Sequence, residues 1–224
     1  MNETHPISIA IDGPSGAGKS TLARRLATTL RFLYVDTGAI YRTIAYYAYA
    51  NHLDPADEAA VLAALPDIRI ELRHDAEGLQ RMILNGEDVT DAIRLPQISQ
   101  YASVVSAYPG VRAFLLEMQR DFARKGSVIM DGRDIGTVVL PQADVKVFLT
   151  ASPEARARRR CLELEQRGTP EPFDPVLSET QQRDWDDSHR ETAPLRQGED
   201  AVVVDATGLN FEESLAALLT VVRG

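Results

Sequence analysis

A phosphate-binding loop is indicated near the start of the chain by the spacing of glycine, lysine and serine in Gly13-Pro14-Ser15-Gly16-Ala17-Gly18-Lys19-Ser20. Glycines let successive backbone N–H groups turn inward around an anion, and the positive end of a following helix strengthens the attraction. Lys19 would reach the outer phosphates, and the hydroxyl of Ser20, or that of Thr21 beside it, would bind Mg²⁺. The pattern predicts binding of a nucleoside triphosphate with Mg²⁺. The alternative is a glycine-rich turn without a ligand.

A second motif, Asp36-Thr37-Gly38-Ala39-Ile40-Tyr41-Arg42, follows the apolar residues Leu33–Val35. A helix that begins near Gly38 would direct backbone N–H groups and the guanidinium of Arg42 toward one pocket, where Thr37 could also form a hydrogen bond. The alternative is an ordinary turn between a strand and a helix, with Arg42 in solvent. Because ligands collect at such turns in α/β sheets, we expect this motif to belong to a binding site.

A third motif, Asp131-Gly132-Arg133-Asp134-Ile135-Gly136, follows the apolar run Val128–Met130. An acid that ends a strand beside the phosphate loop can hold the waters of Mg²⁺, which is the role we expect for Asp131. Arg133 and Asp134 would then project into the cleft. The alternatives are a plain loop cap for Asp131 and a surface pair between Arg133 and Asp134, which would add little stability.

Two predicted helices between Arg156 and Arg190 each carry charged side chains on one face. The first face carries Arg156, Arg159 and Arg160, and the second carries Arg183, Asp187 and Arg190. We expect Ser152 to cap the first helix and Asp174 to cap the second. The intervening segment Gly168–Phe173 is typical of the tip of a mobile hairpin, so these arginines would line a lid that closes over phosphates. The alternative is an exposed charge ladder that only solubilises the protein.

These motifs together indicate transfer of the terminal phosphoryl group of a nucleoside triphosphate to a second phosphorylated molecule. Phosphoryl transfer depends mostly on positioning and on neutralising charge, which arginines supply. A phosphate acceptor is already ionised and needs no catalytic base, whereas a hydroxyl acceptor is usually served by a carboxylate or a histidine. The four histidines of the chain are scattered, which favours a phosphate acceptor. Asp134 leaves the hydroxyl acceptor open.

The elements that must hold these motifs follow from apolar periodicity. Five short apolar runs predict buried parallel strands, at Ile7–Asp12, Leu33–Asp36, Val128–Asp131, Val145–Leu149 and Ala201–Asp205. Helical segments separate them, which predicts a doubly wound α/β sheet with ligands at the carboxyl ends of its strands. In the last helix we expect Asn210 to be the cap and five apolar residues to pack on the sheet, namely Phe211, Leu215, Leu218, Leu219 and Val222.

One segment breaks this alternation. Residues Ile68–Arg73 and Leu79–Gly86 alternate apolar and polar side chains around a turn at Asp75–Gly78, and Asn85-Gly86 marks a second tight turn. We predict a small antiparallel β insert over residues 66–95 and a helical lid region over 152–190. The remaining residues, 1–65, 96–151 and 191–224, would form the core phosphate-loop domain.

Composition limits the partners. With 224 residues, of which 44% are hydrophobic, the chain suits one α/β domain with an excursion or two. Its net charge of −9 argues against binding nucleic acid, which needs a basic face. The single cysteine, Cys161, excludes an internal disulfide. Because no stretch has the length of a signal or a membrane span, we expect a cytoplasmic protein. We also expect a monomer, because no long apolar stripe lacks a place in the core.

Four segments resemble the bacterial cytidylate kinase family, and the resemblance covers essentially the whole chain. They are Ile11–Ser20, Asp36–Arg42, Asp131–Val139 and Ala193–Leu195. The resemblance implies a P-loop nucleoside monophosphate kinase fold with a five-stranded parallel sheet flanked by helices, a β insert and a helical lid. It also implies MgATP-dependent conversion of CMP and dCMP to their diphosphates. Thr37 and Ser20 depart from the family pattern, because serine and glycine occur at these positions in a familiar member.

The resemblance implies roles for individual residues. Lys19, Arg133, Arg159, Arg183 and Asp134 would act in catalysis, and Arg159 together with Gly13, Pro14, Ser15, Gly16, Ala17, Gly18, Lys19, Ser20 and Thr21 would bind ATP. Thr37 would hold the cytosine or atoms near it, and Arg42 would contact the phosphate of CMP. The pyrimidine edge would be recognised by Ser103, Arg112, Arg133 and Asp134, and the acceptor's phosphate and sugar by Arg183, Asp187 and Arg190. Mg²⁺ would be bound at Ser20.

Three other functions fit parts of the sequence. A kinase for UMP, or for a hydroxyl acceptor such as shikimate, would share the phosphate loop and differ in the acceptor pocket. A GTPase switch usually reads guanine through an Asn-Lys-x-Asp segment, which the sequence lacks. A binding module would hold ATP without transferring its phosphate. The arginine motifs favour an enzyme over the last two.

Overall fold

The computed structural model describes residues 5–76 and 78–224, and the chain divides into two compact units. The first unit comprises the described residues up to Tyr34 together with Ala123–Gly224, and the second comprises Val35–Phe122. The sequence-based expectations for Met1–Thr4, and for Glu77 in the predicted turn, lie outside the described residues. The three-part division predicted from the sequence stays a prediction.

The elements alternate between strands and helices over most of the chain. The strands are β1 (Ser8–Asp12), β2 (Leu33–Asp36), β3 (Ile70–His74), β4 (Gln80–Leu84), β5 (Glu87–Asp88), β6 (Val128–Gly132), β7 (Val145–Thr150) and β8 (Val202–Asp205). The α-helices are α1 (Lys19–Leu30), α2 (Thr37–Ala50), α3 (Glu58–Ala64), α4 (Pro96–Val105), α5 (Pro109–Lys125), α6 (Pro153–Gln166), α7 (Phe173–His189) and α8 (Phe211–Arg223). Short 3₁₀ turns lie at Leu65–Asp67 and Ala92–Arg94, and a π-helical turn lies at Ile135–Val139.

A five-stranded sheet with the order β2-β6-β1-β7-β8 organises the first unit. Strand β1 pairs in parallel with β6 on one side and with β7 on the other, so Ile9 lies beside Ile129 and Val145. Apolar side chains of α1 and α8, among them Leu26 and Leu218, bury the sheet in one continuous core. The predicted fold, a parallel five-stranded sheet flanked by helices, is confirmed. Its order places the end of β6 next to the loop that follows β1.

The two helices of the predicted lid region pack on each other through a small apolar cluster that includes Ala157, Leu164 and Val176. Ser152 caps α6, because its side chain accepts a hydrogen bond from the N–H of Ala155 over 3.2 Å.

The expectation that Asp174 caps the next helix is wrong. Pro172 occupies the cap with extended backbone angles (φ −61°, ψ 150°), so α7 begins at Phe173 and Asp174 lies inside its first turn. There the carboxylate still favours the positive end of the helix.

The last helix, α8, begins with a reciprocal capping box. Asn210 accepts a hydrogen bond from the N–H of Glu213, and the Glu213 carboxylate accepts one from the N–H of Asn210. Leu215 and Leu218 are buried as predicted, but Phe211 is 39% exposed. Phe211 is the first residue of the helix and lies one turn before Leu215, where the part of the helix that packs in the core begins. The prediction that Phe211 packs on the sheet is therefore wrong.

In the second unit, β3, β4 and β5 form an antiparallel sheet, as the alternating pattern predicted. The turn between β4 and β5 places Asn85 at φ 51° and Gly86 at φ 92°. This left-handed pair is the geometry that Asn-Gly provides in tight hairpins. Helix α2 packs against α4 and β4 in the same unit. Across the part of the chain described by the structure, none of the helices combines the length and the apolar character that crossing a membrane requires.

Candidate active site

Three glycines shape the loop between β1 and α1. A Cβ atom on Gly13 would lie 1.9 Å from the carbonyl oxygen of Leu149 in β7, so the loop runs directly against the neighbouring strand. Gly16 and Gly18 have φ angles of 75° and 91°, a left-handed conformation that glycine adopts without strain. The loop therefore turns sharply at the amino end of α1, whose free N–H groups attract anions.

Lys19 is buried and lies over this loop. Its Nζ atom donates a hydrogen bond to the carbonyl oxygen of Pro14 over 2.8 Å. Burial lowers the pKa of the ammonium to about 7, and the positive charge of Arg133 acts in the same direction, while Asp131 and Asp187 oppose it. Phosphate oxygens at this position would supply the negative charge that keeps the lysine protonated.

A hydrogen-bonded group of three side chains joins the loop to the end of β6. The hydroxyl of Ser20 donates to Oδ2 of Asp131 over 2.9 Å, and the phenol of Tyr34 donates to Oδ1 over 2.8 Å. Asp131 is 3% exposed, so both carboxylate oxygens are oriented by side chains rather than by bulk water. The sequence analysis placed Asp131 near the loop but missed Tyr34, which appeared only as an apolar strand residue.

A hydroxyl beside a carboxylate suits Mg²⁺. This ion prefers oxygen ligands and keeps several of its own waters, which carboxylates can hold. Within the described ranges, 5–76 and 78–224, no cluster of three or more histidine, cysteine, aspartate or glutamate side chains is arranged to hold a metal. The hydroxyl of Ser20 and the carboxylate of Asp131 are oxygen donors of the kind that Mg²⁺ prefers, so these two residues would fit such an ion.

Asp12 fixes the loop that follows β6, a role that sequence reasoning missed. Its carboxylate accepts hydrogen bonds of 2.7 Å from the N–H groups of Ile135 and Gly136. Burial raises its pKa to about 6, although these two N–H groups oppose the rise. The contact holds the backbone immediately after Asp134, so β1 determines where that side chain lies. The only signal in the sequence was an acidic residue at the end of an apolar strand.

Arg133 pairs with a residue of α7, and not with Asp134 alone as in the alternative considered for this motif. Its Nε atom donates to Oδ2 of Asp187 over 2.7 Å, and both side chains are mostly buried. Arg190 lies 3.9 Å from carboxylate oxygens of both Asp134 and Asp187. Burial would raise the pKa of Asp187, but the charges of Arg133, Arg190 and Arg183 outweigh it and lower the pKa. Four residues predicted for the acceptor site therefore gather at the end of β6, and Arg183 acts on the same carboxylate.

The three arginines predicted on one face of α6 lie in different environments. Arg156 is 3% exposed and pairs with Asp184 of α7. Arg159 donates hydrogen bonds to the carbonyl oxygens of Ala17 and Ala206, at 3.4 and 2.6 Å, which places it at the phosphate loop. Arg160 is 44% exposed and pairs with Glu163 on the surface, as expected of a solubilising charge. Sequence periodicity could not separate these three.

The second unit holds the remaining candidates. Asp36 caps α2 by accepting from the N–H of Ala39, and it pairs with Arg42 over 3.0 Å. Among the described residues, no hydrogen-bond partner is found for the buried Nε of Arg42, so this guanidinium retains a donor for an anion. Thr37 is buried at the start of the same helix.

Arg112 is 8% exposed and is held from two sides. It donates to the carbonyl oxygen of Ser106 over 2.9 Å, and its guanidinium lies 5.3 Å from the centre of the Tyr41 ring. Ser103 is exposed on α4, and its carbonyl oxygen accepts from the hydroxyl of Ser106. The second unit therefore brings Thr37 and Arg42 together on α2, and a further contact joins α2 to Arg112.

A protein-family model and the similar curated proteins agree on one family. A protein-family model described as Cytidylate kinase matches residues 9–224. The cytidylate kinase of Carboxydothermus hydrogenoformans is 50% identical over 214 residues, which cover 96% of each chain. That of Geobacter sulfurreducens is 49% identical over 215 residues, covering 96% of this chain and 92% of the relative.

One solved structure, an uncharacterized protein from Eubacterium ventriosum, matches with a TM-score of 0.55 at 10% identity. The match covers 97% of this chain and 99% of that one. At this identity the likeness concerns the fold alone.

Proposed function

The chain belongs to the cytidylate kinase family, and on that premise we propose that it transfers the terminal phosphoryl group of MgATP to CMP and dCMP. The products are ADP with CDP or dCDP. The observation that carries this proposal is the arrangement at the end of β6. There Asp131 contacts the phosphate loop through Ser20, while Arg133, Asp134, Asp187 and Arg190 gather beside it.

We assign the donor side to the phosphate loop and to α6. The loop residues Gly13, Pro14, Ser15, Gly16, Ala17, Gly18, Lys19, Ser20 and Thr21 would surround the phosphates of ATP. Arg159 supports this assignment, because it already contacts the loop at Ala17. Mg²⁺ at Ser20, with Asp131 holding its waters, would neutralise charge on the outer phosphates.

We assign the acceptor side to the residues that the family resemblance implies. Arg42, with its spare buried donor, would bind the phosphate of CMP, and Thr37 would lie near the base. Cytosine presents an amino donor beside two acceptors, which mixed arginine and aspartate side chains complement. Ser103, Arg112, Arg133 and Asp134 are assigned to that edge, and Arg183, Asp187 and Arg190 to the sugar and phosphate.

The chemical step needs no base from the protein. A phosphate oxygen of CMP, already ionised, forms a bond to the γ-phosphorus while the bond from that phosphorus to the bridging oxygen breaks. The electron pair of the broken bond stays on ADP. Negative charge spreads over the oxygens of the transferring phosphoryl group. The cations that we assign to this charge are Lys19, Arg133, Arg159 and Arg183. Asp134 would hold the acceptor rather than remove a proton.

Three further features belong to the proposal. We expect the enzyme to act in the cytoplasm as a monomer. We also expect no nucleic-acid partner, because the net charge of −9 repels a phosphate backbone everywhere outside the local arginine sites. A sedimentation measurement would test the monomer.

An acceptor panel tests the function. ADP release from MgATP is followed with CMP, dCMP, UMP, AMP, GMP and shikimate offered separately, with the Lys19→Ala variant as the control. We expect turnover with CMP and dCMP that the variant loses. Turnover with another acceptor would keep phosphoryl transfer but contradict the assigned pocket, and no turnover would favour a binding or switch protein.

A further inference from the structure

Arg156 joins three segments of the first unit through one guanidinium. It donates to the carbonyl oxygen of Ala151 over 2.8 Å, to that of Ser15 in the phosphate loop over 3.0 Å, and to both carboxylate oxygens of Asp184 in α7. The side chain is 3% exposed. A buried arginine whose N–H groups form these hydrogen bonds is fixed in position, because moving it would leave hydrogen-bond donors unpaired and shielded from water.

The contact with Ser15 bears on the geometry of the phosphate loop. A trans peptide points its C=O and its N–H in opposite directions, so holding the carbonyl of Ser15 toward Arg156 turns the N–H of Gly16 away from it. The loop also packs on the arginine itself, since a Cβ atom on Gly16 would lie 3.3 Å from Cβ of Arg156. Arg156 thus orients one of the amides that a phosphate-binding loop needs.

Asp184 connects this arrangement to the proposed acceptor residues. It lies three residues before Asp187 on α7, so both carboxylates share a helix face. Asp184 holds Arg156, and Asp187 holds Arg133 at the end of β6. Two consecutive ion pairs therefore fix α7 against the phosphate loop and against the site at β6. The Asp184 side chain is 26% exposed, beside a cleft of about 490 Å³ that Pro14 and Ser188 also line.

We propose that Arg156, held by Asp184, is a positioning residue for the phosphate loop and links nucleotide binding there to the position of α7. This inference rests on the proposed function, because it assumes that the loop binds the phosphates of ATP. Arg156 touches no reacting atom in this account and acts through the backbone of Ser15. The fork of the guanidinium is essential to the role, since one lysine amine cannot reach two carbonyls and a carboxylate with the same geometry.

Four variants test the positioning role: Arg156→Met, Arg156→Lys, Asp184→Asn and, as the matched control on the same helix, Arg160→Met. We expect Arg156→Met to weaken MgADP binding, measured by calorimetry, and to raise the KM for ATP, both by about tenfold or more, as for a lost charge-assisted contact. Arg156→Lys should recover part of this loss. Arg160→Met should stay within about twofold of wild type, because its ion pair is exposed.

The double variant with Arg156→Met and Asp184→Asn should bind MgADP no more weakly than Arg156→Met alone, because both changes break the same Arg156–Asp184 ion pair. Asp184→Asn keeps the shape of the side chain and serves as the test if Arg156→Met fails to fold. Unchanged MgADP affinity in folded Arg156→Lys and Asp184→Asn proteins would overturn the proposal. Calorimetry needs no acceptor, so it judges this inference separately from activity on CMP.

Trp185 provides a readout of the link to α7. It is the single tryptophan of the chain, follows Asp184 directly, is 58% exposed and stacks on His189 with ring centres 4.5 Å apart. Saturating MgADP should change its fluorescence in the wild-type protein, and Asp184→Asn should abolish that change even at saturation. If MgADP changes the fluorescence of the Asp184→Asn protein as much as that of the wild type, the link is contradicted.

Discussion

Arg133 and Asp187 are paired through Nε and Oδ2 at 2.7 Å, across 54 positions of sequence. The pair joins the end of β6 to α7 and keeps both charges in a mostly buried setting. A buried pair is costly to break on one side, because the remaining charge has no partner. This contact therefore fixes the arginine that we assign to the cytosine edge and to the transferring phosphoryl group.

Breaking this pair should impair the acceptor more than the donor. We expect Asp187→Asn to raise the KM for CMP by about tenfold or more, since Arg133 loses its orienting carboxylate. The affinity for MgADP, measured by calorimetry, should fall clearly less than this, because Asp187 acts on the loop only through the charge of Lys19 and not through a hydrogen bond to the loop. Equal losses on both sides would contradict the assignment.

Asp134→Ala should separate the acceptor from the donor in a second way. Loss of the carboxylate removes an acceptor assigned to the amino group of cytosine, so the preference for CMP over UMP in kcat/KM should fall by about tenfold or more. Competition between the two acceptors measures it. An unchanged preference would show that Asp134 does not read the base.

Ser20 should control the use of Mg²⁺. Its hydroxyl already donates to Asp131, and Ser20→Ala removes both that contact and the assigned metal ligand. We expect the Mg²⁺ concentration for half-maximal activity to rise by about tenfold or more. If Thr21→Ala causes this shift instead, Thr21 is the ligand.

Asp12 should make stability depend on pH between about 4 and 6. Its folded pKa of about 6 lies above the ordinary 3.8, so its contribution to stability is fully present below pH 4 and is lost as pH rises through 6. The free energy of unfolding of the wild type relative to Asp12→Asn should fall by about 3 kcal/mol over this range and stay level above it. Urea unfolding at several pH values measures this difference, and a difference that rises with pH would contradict the assignment.

Gly13 should tolerate no side chain. The atom that a Cβ would meet at 1.9 Å is a backbone oxygen of Leu149, so β1 and β7 would have to separate. We expect Gly13→Ala to lower the free energy of unfolding by about 3 kcal/mol or more. Gly208→Ala is the matched control, because a Cβ there meets open space. Equal stability of the two variants would rule out the close approach.

The sequence predicted the elements well because they depend on local patterns. Apolar runs located the five parallel strands, and alternation with Asn85-Gly86 located the antiparallel sheet. Caps followed side-chain chemistry at Ser152 and Asn210. The cap at Asp174 failed because Pro172 already held the chain in an extended conformation.

Long-range partners were not predictable in this way. Asp12 contacts residues more than 120 positions away, and Tyr34 reaches Asp131 across 97. Helical periodicity assigned Arg156 and Arg160 to one face but not to a buried and an exposed environment. Such partners depend on how strands and helices pack, which a local pattern does not contain. The residue roles assigned to the site stay predictions.

Direct detection of the products tests the central claim. Equimolar MgATP and CMP are incubated with the protein and the nucleotides are separated by anion-exchange chromatography, with Lys19→Ala as the control. We predict that CDP and ADP form in equal amounts, that CDP with ADP regenerates CMP and ATP, and that the variant does neither. Formation of ADP and inorganic phosphate without CDP would contradict phosphoryl transfer to CMP.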